Sequence, residues 1–167
     1  MARSGFFATR LKQWKPPRFN QSSSERVVLV AETVAEKAAN LLESARRLYR
    51  EAVREFESGV GEGGWVRIAV AVEKASGAVE QATKALVLML KGKLPSSWEE
   101  DRVLVELETS FPEVARLRIR DRYAARLSYL SRFRYSLYSS NLKLAEYELE
   151  KVKEYLDDIS RLLKQLQ

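Results

Sequence analysis

Among its 167 residues the chain has no histidine and no cysteine. Zinc fingers and other Cys/His metal sites, thiol nucleophiles, Ser-His-Asp triads and disulfide frameworks are therefore excluded. Any chemistry falls to carboxylates, Arg and Lys, hydroxyls or a bound partner, and no catalytic residue, metal or cofactor is expected. The longest uncharged apolar stretches, Val27 to Ala31, Ile68 to Val72 and Ala85 to Leu90, fall far short of a bilayer span, so no membrane partner is expected. Helix breakers are scarce, with 7 Gly and 4 Pro, and no segment alternates apolar and polar residues with the period of a strand. The N-terminal MARSGFFATRLKQWKPPRFN is basic but lacks the apolar core and small-residue cleavage site of a signal peptide, which points to a cytoplasmic protein. With three Asn, five Gln and two Met, thermolabile residues are also few, a composition found in thermophiles.

What the sequence does have is charge, unevenly placed. The formal net charge is +6, but residues 1–24 hold five cations and no acid, and residues 112–135 hold seven Arg against two acids. Two concentrated basic segments are a better pointer to an anionic partner than the total.

The hydrophobic pattern is helical throughout. Residues 1–21 carry Phe6, Phe7, Trp14, Phe19 and Pro16-Pro17 without periodicity and read as an extended basic arm. Residues 22–167 read as one domain. Ser22 to Ser24 offer N-caps, after which apolar residues recur at 27, 31, 34, 38, 41, 45, 48, 52 and 56. That spacing predicts a helix from about Glu25 to Ser58, stopped by Gly59, Gly61, Gly63 and Gly64, with an alanine-rich seam suited to close packing. A second helix should run from Trp65 to Lys91 with Gly92 at its end. Its apolar surface is broad enough for a central position, and Gly77 suggests a close crossing. Ser97 with Glu100 makes a capping box for a short acidic helix, about Trp98 to Glu108. Pro112 and Glu113 open an Arg-rich fourth helix. Ser139-Ser140-Asn141 separates it from a last helix over Leu142 to Leu166. The expected class is all-α, an antiparallel up-and-down bundle of four to five helices.

Within the second helix, AVEKASGAVEQATKALVLMLKGKLPSSWEE carries Glu73-Lys74, Gly77-Ala78 and Lys84-Ala85-Leu86 followed by Gly92 and a Pro/Ser turn. This resembles the central helix of HEPN-domain proteins, and is closest to their archaeal PaREP-type relatives. The preceding LYREAVREFESGVGEGG is similar to the first helix and Gly-containing turn of those families, and the likeness is best over residues 45–108. The resemblance implies a HEPN-like bundle, often a homodimer. Members include RNases of toxin–antitoxin and defence systems and non-catalytic RNA- or nucleotide-binding proteins, many acting beside a nucleotidyltransferase-type partner. The family's RNase signature, Arg followed after four to six residues by His, cannot occur here. Its nearest echo, Arg134 and Asn141, lacks a group that titrates near neutrality.

The Arg-rich helix is the main candidate for binding RNA or nucleotide phosphate. Arg116, Arg118, Arg120, Arg122, Arg126, Arg132 and Arg134 supply planar guanidinium forks suited to phosphate. Tyr129 and Tyr135, with Tyr123, Phe133 and Tyr138, offer rings on which bases stack. The competing reading is internal: the acidic third helix neutralises the Arg and the aromatics are core. Arg46, Arg50 and Arg54 form a second basic row at i, i+4, i+8 on the first helix, which either faces solvent beside its own glutamates or joins the Arg-rich helix in one groove. Glu80 and Lys84 are spaced to pair. Glu146, Glu150, Glu154 and Asp157-Asp158 read as a solvated acidic face. Three functions follow: phosphate binding without catalysis, docking of a partner chain through the arm and helical seams, or an RNase or toxin–antitoxin component with a mechanism that needs no histidine.

Overall fold

The computed structural model describes residues 21–62, 64–94, 100–135 and 142–166. These residues form six helices and no strand: α1 (Gln21–Glu62), α2 (Trp65–Lys91), α3 (Glu100–Ser110), α4 (Pro112–Arg116), α5 (Ile119–Tyr135) and α6 (Leu142–Leu166). The all-α class holds. None of these helices is long and apolar enough to cross a membrane. The chain divides into two units, Met1–Glu32 and Thr33–Gln167. Of the first, the described part is the helical backbone of residues 21–32. The arm, the Ser97–Glu100 capping box and Asn141 lie outside the described residues.

The second unit is organised around α2. Ile68, Ala71, Val72, Ala75, Ala78, Val79, Ala82, Ala85 and Leu86 are all buried, so the broad apolar surface expected of a central helix is what its neighbours cover. α5 and α6 pack on it extensively, with α3 also against it. Leu42, Ala45, Ala52 and Phe56 of α1 and Ala145, Leu149, Val152, Leu156 and Ile159 of α6 complete the core. Small residues on α1 let it approach closely: at Gly77 of α2 an added Cβ would lie 3.4 Å from Leu48 Cδ1, the crossing that the glycine suggested.

The end of α1 differs from expectation. Gly59 and Gly61 do not stop it, and it continues past Ser58 to Glu62. Gly59 instead permits the close approach of α2, since a Cβ there would sit 2.7 Å from Ile68 Cγ1. The Gly64 N–H donates to the Gly59 carbonyl at 2.8 Å, making a tight bend. At the other end of α2 the cap is as expected: Gly92 takes φ 72 and its N–H donates to the Leu88 carbonyl at 2.8 Å.

The Arg-rich segment is two helices rather than one. It breaks at Leu117–Arg118, where Arg118 adopts φ 50, a left-handed conformation that costs a non-glycine residue about 1–2 kcal/mol. Burial explains the break. Val114 and Ile119 are 2% and 0% exposed, yet five residues along one continuous helix would point them about 140° apart. Breaking the helix lets both enter the core.

Candidate functional site

The residues singled out by sequence divide according to how deeply they are buried. Arg116 and Arg118 are exposed and pair within their own turns, with Glu113 and Asp121, each at 2.8 Å. Arg120 bonds Asp101 of α3 at 2.9 Å, and its backbone N–H donates to the Glu108 carboxylate at 3.0 Å. Asp101 raises the affinity of the Arg120 guanidinium for its proton, chiefly through that hydrogen bond. The acidic third helix thus meets one Arg of the segment; its Glu106 is held instead by Lys91 and Arg102.

Arg122 and Arg126 turn inward, one helical turn apart, onto α6. Arg122 Nη1 donates to Asp158 Oδ2 at 2.7 Å and stands 5.4 Å from the centre of the Tyr155 ring. Arg126 Nη1 donates to Glu148 Oε2 at 2.5 Å. The side chains of Arg126 and Glu148 are 13% and 3% exposed, so this pair is effectively buried. Burial pushes the Glu148 carboxyl above the usual glutamate range, and the Arg126 charge and hydrogen bond only partly counter it. Behind the pairs, Tyr155 is fully enclosed and its hydroxyl shares a 2.7 Å hydrogen bond with Thr83 of α2. Burial raises the Tyr155 phenol well above its ordinary value, more than the Thr83 bond and Arg122 lower it. It stays neutral at physiological pH.

At the far end of α5, Tyr129 is 41% exposed, with Arg126 and Arg132 at 5.7 and 5.4 Å from its ring centre. Tyr147 of α6 is 50% exposed and has Lys151 Nζ 5.3 Å from its ring centre. Tyr123 and Phe133 pack against the core. The side chains of Arg134 and Tyr135, and all of Tyr138, lie outside the described residues.

The basic row on α1 does not join the Arg-rich helix in one groove. Arg46 Nη2 donates to the buried Ser160 hydroxyl at 2.5 Å and lies 3.9 Å from Glu43. Arg50 bonds Glu43 at 3.0 Å, and Arg54 is exposed. Arg46 reaches α6 at Ser160 and Arg122 reaches it at Asp158. Residues two positions apart on a helix point about 160° apart, so α6 stands between the two basic groups.

Several side chains behave as their spacing implies. Glu80 and Lys84 pair at 4.0 Å, and Lys74 bonds Glu51 across to α1 at 2.9 Å, so the charges of α2 sit at its edges. Glu146, Glu150, Glu154 and Asp157 are exposed. Asp158 departs from the expected solvated face: its side chain is 15% exposed, and Arg122 and Arg161 both pair with it. Glu148, Thr83 and Tyr155 carry the polar centre of the fold and were not expected to. Glu148 was nevertheless detectable: it falls three residues after Ala145 and four before Val152, on the apolar seam of α6.

Comparison with known protein families, curated proteins and solved structures finds no match.

Proposed function

We propose that this chain is a non-catalytic, HEPN-like helical-bundle interaction protein that docks a partner chain, a second copy of itself being the simplest partner. What carries the reading is the fate of the Arg-rich segment. Arg116, Arg118, Arg120, Arg122 and Arg126 each have a carboxylate partner within the chain, and the two deepest hold α5 to α6. Arg122 and Arg126, turned inward onto α6 in this way, are not presented to phosphate. Apolar surface, by contrast, is exposed on both sides of the α1–α2 bend: Val60 at 44%, Trp65 at 38% and Val66 at 78%. Three large apolar residues within one turn of a tight bend make a compact contact for another chain.

Sedimentation equilibrium of the wild type and of Val66→Glu tests this. A dimer that dissociates in the variant, with its helical spectrum unchanged, agrees with docking at the bend. A wild type that is monomeric at every concentration removes self-association, and docking then requires a partner of another sequence.

A second reading, binding of RNA or nucleotide, draws on Tyr129 and Tyr147, exposed rings with cations 5.3 to 5.7 Å from their centres. Stacking of single-stranded bases uses such pairs. Affinity that falls on Tyr129→Ala with Tyr147→Ala would favour it over docking alone. A nucleotidyltransferase-type partner belongs to the HEPN likeness, and co-purification of the two untagged chains is its test.

A further inference from the structure

A cleft of about 140 Å³ opens between α1, α2 and α6. Its construction follows from helical spacing. Ala38, Leu42 and Arg46 succeed one another at single-turn intervals on α1, and Ser160 and Lys164 do the same on α6. Leu163 and Met89 complete the walls, with Ala39 at the margin. Ala38, Leu42 and Leu163 are buried, at 2%, 8% and 4% exposed, so the interior is apolar. The small alanines on α1, which elsewhere bring helices together, here leave room.

The charged groups of the cleft share one sign. Among the described residues Arg46 and Lys164 line it, and no carboxylate does. Glu43 lies 3.9 Å from Arg46 Nη1, and Arg50 holds it more closely, at 3.0 Å. Arg46 Nη2 is fixed by the Ser160 hydroxyl, itself 6% exposed. The guanidinium is thereby held at the cleft with further N–H donors left over, since Arg carries five. A cavity of about 150 Å³ suffices for a benzene-sized group, so the space suits one ring or a short aliphatic chain.

From this geometry we infer that the cleft binds a small amphiphilic carboxylate, its chain of about five to seven carbons lying along Leu42, Met89 and Leu163 and its carboxylate on Arg46 and Lys164. This site is independent of the docking surface at the α1–α2 bend, and either can stand without the other.

The test is a titration of the full-length, isotope-labelled protein with hexanoate, followed by backbone amide shifts. Saturable shifts confined to residues 38–46, 89 and 160–164 are expected, with Kd around 1 mM for a ligand of about eight non-hydrogen atoms. Hexanol, which lacks the charge, and acetate, which lacks the chain, should each bind at least about tenfold more weakly, a difference of ~1.4 kcal/mol. Arg46→Gln should weaken hexanoate by a similar factor. Ala39→Leu, an exposed margin position where leucine suits a helix, should block entry without disturbing the core. Arg50→Gln, on the same helix but outside the cleft, should change nothing. Absence of saturable shifts with hexanoate overturns the inference, as does equal binding of hexanol or of acetate. Both outcomes are read on the wild type, so they stand even where a variant fails to fold.

Discussion

Removing either member of the Arg126–Glu148 pair should damage the protein more than removing both. Their side chains are 13% and 3% exposed, so Glu148→Leu leaves a guanidinium facing a nearly dry interface with no carboxylate to accept its hydrogen bond. Breaking one side of such a buried pair costs about 3–5 kcal/mol, a large part of the roughly 5–15 kcal/mol that holds a domain folded. An apolar replacement of both, Arg126→Met with Glu148→Leu, removes the two desolvation penalties together and should return stability to within about 1 kcal/mol of wild type or above it. Urea denaturation of the four proteins of the cycle, followed by circular dichroism at pH 7, gives the coupling directly. A single substitution costing less than about 1 kcal/mol would place the pair among ordinary solvated bridges. A double variant as unstable as the sum of the singles would likewise refute the reasoning.

The same burial sets a pH dependence. Glu148 is pushed above its ordinary value in the folded chain, so the folded state binds that proton more tightly than the unfolded state. Its contribution is fully present below the ordinary glutamate range and is lost as pH rises through the shifted value. Glu148→Gln should flatten this fall in a pH series of urea midpoints, and should cost less than Glu148→Leu because its amide oxygen still accepts from Arg126. Thr83→Val should cost about 1–3 kcal/mol by leaving the enclosed Tyr155 hydroxyl unpaired, and adding Tyr155→Phe should recover most of it; thermal melts compare the two. Gly59→Ala should destabilise by about 1–3 kcal/mol because its Cβ would overlap Ile68, despite the better helix propensity of alanine. Arg118→Gly should raise the urea midpoint, by the equivalent of about 1 kcal/mol, since glycine accepts the left-handed conformation without strain.

How far the sequence discloses this arrangement depends on which interaction decides each element. α2 and α6 end where breakers and periodicity put them, Trp65 to Lys91 and Leu142 to Leu166, because each is long and its apolar stripe is continuous. Helical periodicity does not show that the Arg-rich segment breaks at Leu117–Arg118. That break answers a tertiary demand, the joint burial of Val114 and Ile119, and nothing local at Arg118 favours a left-handed residue. Gly59 could be read as a stop or as a close approach, and only the position of Ile68 decides between them. The acidic positions of α6 look alike when spacing at i, i+4 is followed through Glu146, Glu150 and Glu154. Glu148 lies off that row and Asp158 continues it, and the burial of both depends on the arginines that α5 brings across. The Arg-rich helix was legible as a cluster of charge. That its two inner members hold the fold together was not, because the carboxylates concerned lie 22 and 36 residues further along the chain.

The role proposed for the cations of the Arg-rich segment is to hold the fold rather than to bind an anionic partner. Fluorescence anisotropy at near-physiological salt, with a labelled single-stranded RNA, tests it by comparing wild type with the combined Arg116→Ala, Arg118→Ala and Arg132→Ala variant. These three residues lie outside the inner pair that Arg122 and Arg126 form with α6, so the fold should survive. The same RNA affinity, or the same lack of it, is expected in both proteins. A drop of about tenfold or more in the variant, equivalent to ~1.4 kcal/mol of binding, accompanied by a shallower salt dependence, would contradict it.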